Sequence, residues 1–191
     1  MKNTHSLKLR MSKHRRLAFK PSEYQHRYEL VLDNMNNAGL DALLVHCPEN
    51  ITYLTGYETP GYYGYHCLVI VRGQQPVLVG RRIEMRTNVP EFSCLAQAEM
   101  WEDHQIPIES TSKIIEKLCM ARRKIGIEKS SWFFPVNEYE ALRARLPRAD
   151  LRDGSGLIEA ARLIKSEAEV RMIRRAVAIA DKATLAGIRV T

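Results

Sequence analysis

The sequence lacks the signals of several protein classes. Its four cysteines form no CxxC pair, and its six histidines show no HxH or HExxH spacing, so we expect no metal site within this chain. No stretch approaches the roughly 18 consecutive apolar residues of a membrane-spanning helix, and the start of the chain has no long apolar signal-peptide core. We therefore expect no membrane partner. Unpaired, mostly buried cysteines are typical of the reducing cytoplasm, where we expect the protein to reside.

Acidic residues are absent from the first 20 positions, which carry 7 of the 29 basic residues. The net charge of +7 therefore belongs to this segment, because the remaining 22 basic residues equal the 22 acidic residues in number. A neutral body offers no extended positive field to nucleic-acid phosphates. We predict that 1–20 is a basic, disordered tail and that nucleic acid is not a partner.

Helices alternate with short apolar strands along the body of the chain. Helical spacing predicts a first helix that opens with a capping box at Ser22 and ends at Gly39. Further helices are predicted from Ser110 or Thr111 and from Pro135. Strands are predicted at 41–47, at 91–99, at 124–128, at 149–153 and in a hairpin over 66–80. This order predicts an α/β layered domain with a mixed β-sheet flanked by helices.

The chain changes character near its C-terminal end. Ser166 and Glu169 form a second S-x-x-E capping box. Val170, Ile173 and Val177 then mark one face of an amphipathic helix that could exceed 20 residues. Such a face needs a cover, which is either its own domain or a second domain. The lack of a clean helix terminator favours the second domain.

Tyrosines are concentrated between residues 50 and 66. Five of the eight in the chain occur there: Tyr53, Tyr57, Tyr62, Tyr63 and Tyr65. A turn needs one or two, whereas a surface that meets a ligand or partner could use all five. Tyrosine supplies rigid apolar area with a hydrogen-bonding tip at low entropic cost. For Tyr53 and Tyr57, packing in the core beneath a turn is the competing interpretation.

Several segments resemble the amino-terminal domain of the creatinase and prolidase family, the pita-bread metallopeptidases and their non-peptidase relatives. The most specific are "RLIKSEAE" at 162–169, which resembles the family's domain junction, and "NITYLTGY" at 50–57. The resemblance covers roughly 19–186. It implies a creatinase/prolidase N-terminal-domain-like fold over 21–160, then a connector and the first helix of an absent C-terminal catalytic domain over 161–191.

The resemblance also implies how work is divided between the two domains. In family members with two metals, the Asp, His and Glu ligands lie in the C-terminal domain, beyond this sequence. We therefore expect no catalytic residue, metal or cofactor in this chain, and no activity from it alone. A divalent metal pair belongs to the parent hydrolase, which would act on a C–N bond of an Xaa-Pro dipeptide, a cyclic amidine or a guanidino acid.

In homodimers of this family, the amino-terminal domain of one subunit leans over the active site of the other. By that resemblance this chain would supply dimer contacts and a pocket lid, with the second copy and the catalytic domain as partners. The substrate-pocket candidates are Tyr57, Tyr62, Tyr63, Tyr65, His66 and Arg81. Arg81 and Arg82 are equally well interpreted as surface charges at a strand end; as pocket residues they would contact a carboxylate.

One departure from the family pattern narrows the substrate. Creatinase carries an arginine that grips the substrate carboxylate, and the matching stretch here, 58–66, contains no Arg or Lys. The aromatic loop followed by "HCLVIV" is more similar to the ectoine-hydrolase and Xaa-Pro dipeptidase branches. The alternatives are a stand-alone interaction module that has lost the catalytic domain and a small-molecule sensor that uses the tyrosine loop alone.

Overall fold

A computed structural model describes Leu9 and residues 16–190 of the chain. Two compact units are present, Met1–Ala161 and Arg162–Thr191. The described helices are α1 (Pro21–Asn37), α2 (Pro48–Thr55), α3 (Arg82–Phe92), α4 (Pro107–Lys117), α5 (Val136–Arg145), α6 (Leu157–Leu163) and α7 (Glu167–Val190). The described strands are β1 (Ala42–Val45), β2 (Cys67–Val71), β3 (Val77–Arg81), β4 (Gln97–Trp101), β5 (Lys124–Ile127) and β6 (Asp150–Asp153).

The strands form one mixed sheet in the order β4-β3-β2-β1-β5-β6. Strand β2 pairs antiparallel with both β1 and β3, whereas the pairs β1–β5, β5–β6 and β3–β4 are parallel. Leu43 lies opposite Ile70 on one side and Gly126 on the other. The predicted α/β fold with a mixed sheet flanked by helices is confirmed.

The sheet separates two hydrophobic cores, and successive residues of each central strand point to opposite cores. Leu43 and Val45 of β1 belong to the first core, together with apolar residues of α1, α2, α3 and α6. Ala42 and Leu44 belong to the second core, with residues of α4 and α5. Because both faces are covered, β1 and β2 are continuous apolar runs rather than alternating ones.

The predicted buried face and C-terminal end of helix α1 are confirmed, but its predicted start is wrong. Tyr28 and Met35 are buried, and Gly39 adopts φ 64° after the helix, where a left-handed residue is needed. At the other end Lys20 is the N-cap and makes no side-chain capping bond. The proposed capping box at Ser22 does not form, because Pro21 already occupies the first turn with its φ fixed and no N–H to satisfy.

Two other boundaries predicted from the sequence are also wrong. The strand predicted over 91–99 begins only at Gln97. Its first two residues end α3, which buries Met85 and Val89 at helical spacing, and 93–96 connect the helix to the strand. The helix predicted from Ser110 or Thr111 begins at Pro107, again with proline in the first turn. Helices α2 and α6 form where no helix was predicted. The hairpin, the other strands and the helix after Pro135 are confirmed.

The second unit opens with the predicted capping box. The Ser166 N–H donates to Glu169 Oε2 at 2.8 Å, and the Glu169 N–H donates to Ser166 Oγ at 3.2 Å. Helix α7 follows for 24 residues, and none of them is buried. Its apolar face is exposed, with Ile173 at 50% and Val177 at 52%. Among residues 16–190, no helix is both long and apolar enough to cross a membrane.

The predicted disordered tail, 1–20, lies mostly outside the described residues. The residues of this segment that are described pack against the rest of the first unit. Leu9 is buried, and its N–H donates to Gln25 Oε1 at 2.8 Å. The Arg16 N–H donates to the Glu91 carbonyl at 2.7 Å, and Leu17 and Phe19 pack against the first core. These contacts extend the packed part of the chain to positions before Pro21.

Candidate functional site

The candidate site is the segment 56–66, called the tyrosine loop below, which connects α2 to β2. Its entry is fixed by Gly56, which has φ 75°. A Cβ at this position would lie 2.8 Å from Tyr24 Oη and 3.2 Å from the Phe92 carbonyl oxygen. The left-handed conformation and the lack of space both require glycine here. Gly56 therefore fixes the direction in which the chain leaves α2 and enters the loop.

A buried polar network holds the start of α2, and hence the segment that leads into the loop. Glu128 Oε2 accepts from the backbone N–H groups of His46 at 2.6 Å and Cys47 at 2.8 Å, while Oε1 accepts from Asn50 Nδ2 at 2.6 Å. Asn50 Nδ2 also donates to Glu159 Oε1 at 2.7 Å. A carboxylate at a helix N-terminus is favoured by the helix dipole. The cost of burying it raises the pKa of Glu128, and these hydrogen bonds oppose that increase.

Two of the predicted site residues lie in the interior below the loop. Tyr57 is only 2% exposed, belongs to the first core, and accepts at its backbone carbonyl from Thr52 Oγ1 at 2.8 Å. Burial raises the pKa of Tyr57 to about 12. His66 is also buried, with Nε2 3.3 Å from Tyr57 Oη and Nδ1 3.0 Å from the Gly64 carbonyl. The core interpretation of Tyr57 thus matches its placement, while any contact with substrate stays a prediction.

Tyr65 lies on the other side of the sheet from Tyr57. Its ring packs against the second core, and its hydroxyl lies 2.7 Å from Thr111 Oγ1. It also makes an edge contact with His46, at 5.4 Å between ring centroids. Burial raises the pKa of Tyr65 well above its ordinary value. Tyr65 therefore ties the end of the loop to helix α4, and its predicted role as a pocket wall stays a prediction.

Tyr62 and Tyr63 are the tyrosines that the loop presents to the outside, with exposures of 54% and 76%. Their rings meet edge to face at 6.1 Å, and Tyr62 makes a second edge contact with Phe133 at 6.2 Å. Trp132, the residue before Phe133, is 94% exposed. We call Tyr62, Tyr63, Trp132 and Phe133 the aromatic patch. The "SSWFFP" segment at 130–135 was the available sequence signal for its last two members, and sequence reasoning missed it.

Arg81 already holds a carboxylate of this chain. Its Nε lies 2.5 Å from Asp103 Oδ1 and a terminal nitrogen lies 2.8 Å from Oδ2, which is a two-pronged fork. The same guanidinium is 3.9 Å from Glu84, and it lowers the pKa of Asp103. Arg82 pairs with Glu102. A substrate carboxylate would have to displace Asp103, so the predicted role of Arg81 stays a prediction with an identified competitor.

The described residues do not fit a divalent metal pair. Within Leu9 and 16–190, no group of three or more His, Cys, Asp or Glu side chains converges as metal ligands. A two-metal hydrolytic site needs several such ligands around one space. No step of metal chemistry is therefore assigned to this chain. None of the four cysteines, all of which lie within the described residues, forms a disulfide.

The sequence of this chain is similar to those of known proteins. The family described as Creatinase/Prolidase N-terminal domain matches residues 27–164. An ectoine hydrolase of Halomonas elongata is 27% identical over 168 residues, covering 83% of this chain and 42% of that protein. An Xaa-Pro dipeptidase of Pyrococcus horikoshii is 29% identical over 161 residues, covering 83% of this chain and 40% of that protein. The chain spans less than half the length of these curated relatives.

Solved structures agree on the fold. A crystal structure of a prolidase from Thermococcus sibiricus superposes with a TM-score of 0.72 over 87% of this chain and 44% of that one, at 20% sequence identity. A dipeptidase structure from Pyrococcus horikoshii superposes with a TM-score of 0.68 over 85% of this chain and 43% of that one, at 24% identity. At these identities the likeness establishes the fold of the chain.

Proposed function

Because this chain belongs to the creatinase/prolidase N-terminal domain family, we propose that it is the non-catalytic first domain of a dimeric hydrolase that cleaves a C–N bond in a small substrate. The observation that carries the proposal is the family match over 27–164, joined to relatives whose remaining length lies outside the matched region. The substrate classes suggested by those relatives are Xaa-Pro dipeptides and cyclic amidines such as ectoine. The divalent metal pair would belong to the catalytic domain.

In this proposal the aromatic patch is the part of the domain that reaches the substrate. Tyr62 and Tyr63 are exposed, while Tyr57, Tyr65 and His66 beneath them are engaged in internal contacts. Support from below keeps the exposed rings in place, which lowers the entropy lost when a ligand binds. The patch would cover the active site of the second copy in a homodimer. We place that dimer in the cytoplasm, where cysteines that form no disulfide stay reduced.

The charge around the loop favours the substrate branches named above over creatine. The guanidinium of Arg81 is neutralised by Asp103. The loop itself carries Glu58 and no Lys or Arg. This side of the pocket therefore suits apolar or neutral substrate groups, and an anionic group would have to be held by the catalytic domain.

The proposal is tested by steady-state kinetics on the complete gene product, purified with its metal, against an Xaa-Pro dipeptide series and ectoine. Tyr62→Ala and Tyr63→Ala should lower kcat/KM roughly tenfold, mainly through KM, because a pocket wall contributes binding to ground state and transition state alike. The control is Ile106→Ala, an exposed apolar residue outside the patch. Absence of C–N hydrolysis would overturn the function, and unchanged kinetics in both tyrosine variants would overturn the role of the patch.

A stand-alone interaction module is the second candidate, and the exposed aromatic patch favours it too. Exposed aromatic side chains are enriched in protein–protein contacts relative to the rest of a surface. This candidate predicts a gene product without hydrolytic activity whose binding partner is lost in Tyr63→Ala. The affinity for that partner should depend only weakly on salt concentration, since residues 21–191 are formally neutral.

A further inference from the structure

Glu84 lies directly beneath the tyrosine loop, although it belongs to a different element. It occupies the first turn of α3, immediately after β3, and its side chain is 11% exposed. A Cβ built on Gly61 would overlap Glu84 Oε1, and all three of the atoms nearest to that Cβ belong to Glu84. The loop backbone at Gly61 is thus in van der Waals contact with the carboxylate. Only glycine leaves room for this approach.

The second carboxylate oxygen of Glu84 faces His66, at 3.3 Å from Nε2. The other ring nitrogen, Nδ1, lies 3.0 Å from the Gly64 carbonyl, which can only accept, so Nδ1 carries the proton of the neutral imidazole. Nε2 then presents a lone pair, which can accept from Tyr57 Oη at 3.3 Å. In that state Glu84 Oε2 is buried without a hydrogen-bond donor among the described residues. A proton added to His66 would supply this donor.

Few other charged or titratable groups lie close to Glu84 and His66. On the β3 side, Arg81 lies 3.9 Å from Glu84 and is itself held by Asp103. On the β1 side, His46 Nδ1 donates to the His66 carbonyl at 2.9 Å, and burial lowers the pKa of His46 to about 4, so it is neutral. The remaining neighbour is the Tyr57 hydroxyl. Glu84 is therefore the one carboxylate in ion-pair range of the His66 ring in the described structure.

We propose that Glu84 is a positioning residue for the tyrosine loop, holding it through Gly61 and His66 so that the placement of Tyr62 and Tyr63 depends on the protonation of His66. The use of this loop against a substrate rests on the proposed function. The contact between Glu84 and the loop does not rest on it, because it is a property of this chain alone.

The sign of the proton dependence follows from opposing effects on His66. Burial, the largest, lowers the pKa of His66, while the hydrogen bond to the Gly64 carbonyl and, less strongly, the Glu84 carboxylate raise it. The closed loop therefore favours neutral His66. The stability of the closed loop is retained above the ordinary pKa of about 6.5 and declines as the pH falls from there toward the lowered value. Glu84 limits this decline, so Glu84→Gln should make the loop more sensitive to acid.

The test uses NMR on the 191-residue chain. The His66 ring is titrated between pH 4 and 8 in the wild type and in Glu84→Gln, while amide exchange is followed at Gly61 and Gly64, whose N–H groups bond inside the loop. Glu84→Gln should titrate His66 at a lower pH than the wild type. At pH values where His66 is protonated and can donate to Glu84, Glu84→Ala should accelerate exchange at both glycines about tenfold, with the strand β2 amides unchanged. Glu102→Gln, a half-exposed neighbour paired with Arg82, is the matched control.

An unchanged His66 midpoint in Glu84→Gln would overturn the proposal, as would wild-type exchange at Gly61 and Gly64 in Glu84→Ala. If Glu84→Ala also loses amide-exchange protection in β2, the substitution has disturbed the sheet itself. The His66 titration in the isosteric Glu84→Gln variant then decides the proposal alone. Neither readout involves catalysis. A gene product without hydrolytic activity would therefore overturn the proposed function and leave the positioning role of Glu84 intact. An unchanged His66 midpoint in Glu84→Gln would overturn the positioning role and leave the proposed function intact.

Discussion

Arg27 joins helix α1 to the end of helix α2, immediately before the tyrosine loop, and offers the most direct test of how the loop is supported. Its guanidinium is buried, and the central carbon lies 4.2 Å from the Phe19 ring centroid and 4.5 Å from that of Tyr53. A terminal nitrogen donates to the Tyr53 carbonyl at 2.9 Å, and Nε donates to Glu23 at 3.2 Å. We predict that Arg27→Lys destabilises the first unit despite keeping the charge.

The magnitude follows from what lysine cannot reproduce. An ammonium group can keep one of the two hydrogen bonds, and it cannot lie flat between two rings as a guanidinium does. Loss of stacking in a desolvated site costs about 1–2 kcal/mol, and loss of one hydrogen bond to a charged group costs about 1.5 kcal/mol. The expected loss is about 2.5–3.5 kcal/mol, which lowers the urea midpoint by about 1 M at the usual slopes for a domain of this size.

Urea unfolding followed by near-UV circular dichroism measures this effect, with Arg145→Lys as the matched control. Arg145 pairs with Glu109 at 2.6 Å on the surface, where the same substitution should change the free energy of unfolding by less than about 0.5 kcal/mol. If the two variants unfold at the same urea concentration, the ring contacts of Arg27 contribute nothing beyond charge. The argument that stacking anchors the end of α2 would then be refuted.

Three further predictions concern local features. Gly61→Ala should displace the loop from Glu84 and accelerate amide exchange across the loop. Gly64→Ala should not, because a Cβ there would meet its nearest atom at 3.4 Å. Equal effects of the two substitutions would contradict the close contact between Gly61 and Glu84. Ser166→Ala should lower the helical circular dichroism signal of α7 through the loss of about 1 kcal/mol of capping, and an unchanged spectrum would show that the box is dispensable. Since burial raises the pKa of Glu128, the contribution of its protonated form to stability is fully present below the unfolded pKa of about 4.3 and is lost as the pH rises through the raised folded pKa. The wild type should therefore lose stability relative to Glu128→Gln between acid and neutral pH in urea unfolding, and the opposite trend would contradict the assignment.

Much of the fold could be predicted because its signals are local. The apolar runs of β1 and β2 and the helical spacing of Tyr28 and Met35 depend only on neighbours within a few residues. The capping box at Ser166 is likewise a contact between residues three positions apart. The failures are local too, since a proline at the first position of α1 and of α4 set the helix start ahead of the serine or threonine that would otherwise cap it.

The candidate site could be predicted only in outline. The five tyrosines drew attention to the segment that forms the tyrosine loop, but sequence spacing cannot tell which rings point outward. Tyr57 and Tyr65 are eight residues apart and pack on opposite faces of the sheet. Phe133 reaches Tyr62 from a segment about 70 positions away. Strand β1 pairs antiparallel with β2 and parallel with β5, so the loop before β2 and the loop after β5 lie at the same end of the sheet.

The sequence by itself determined the α/β class, the family, the tyrosine-rich segment and the capped helix at 167–190, because each is encoded by residue types at short, regular spacing. Only the tertiary structure decided that Arg81 is held by Asp103, that Glu84 contacts the tyrosine loop, and that Tyr62 and Tyr63 alone of the loop's tyrosines face outward. These depend on the order and register of the strands. Strand order is set by the burial of both faces of the sheet at once, which no local pattern records.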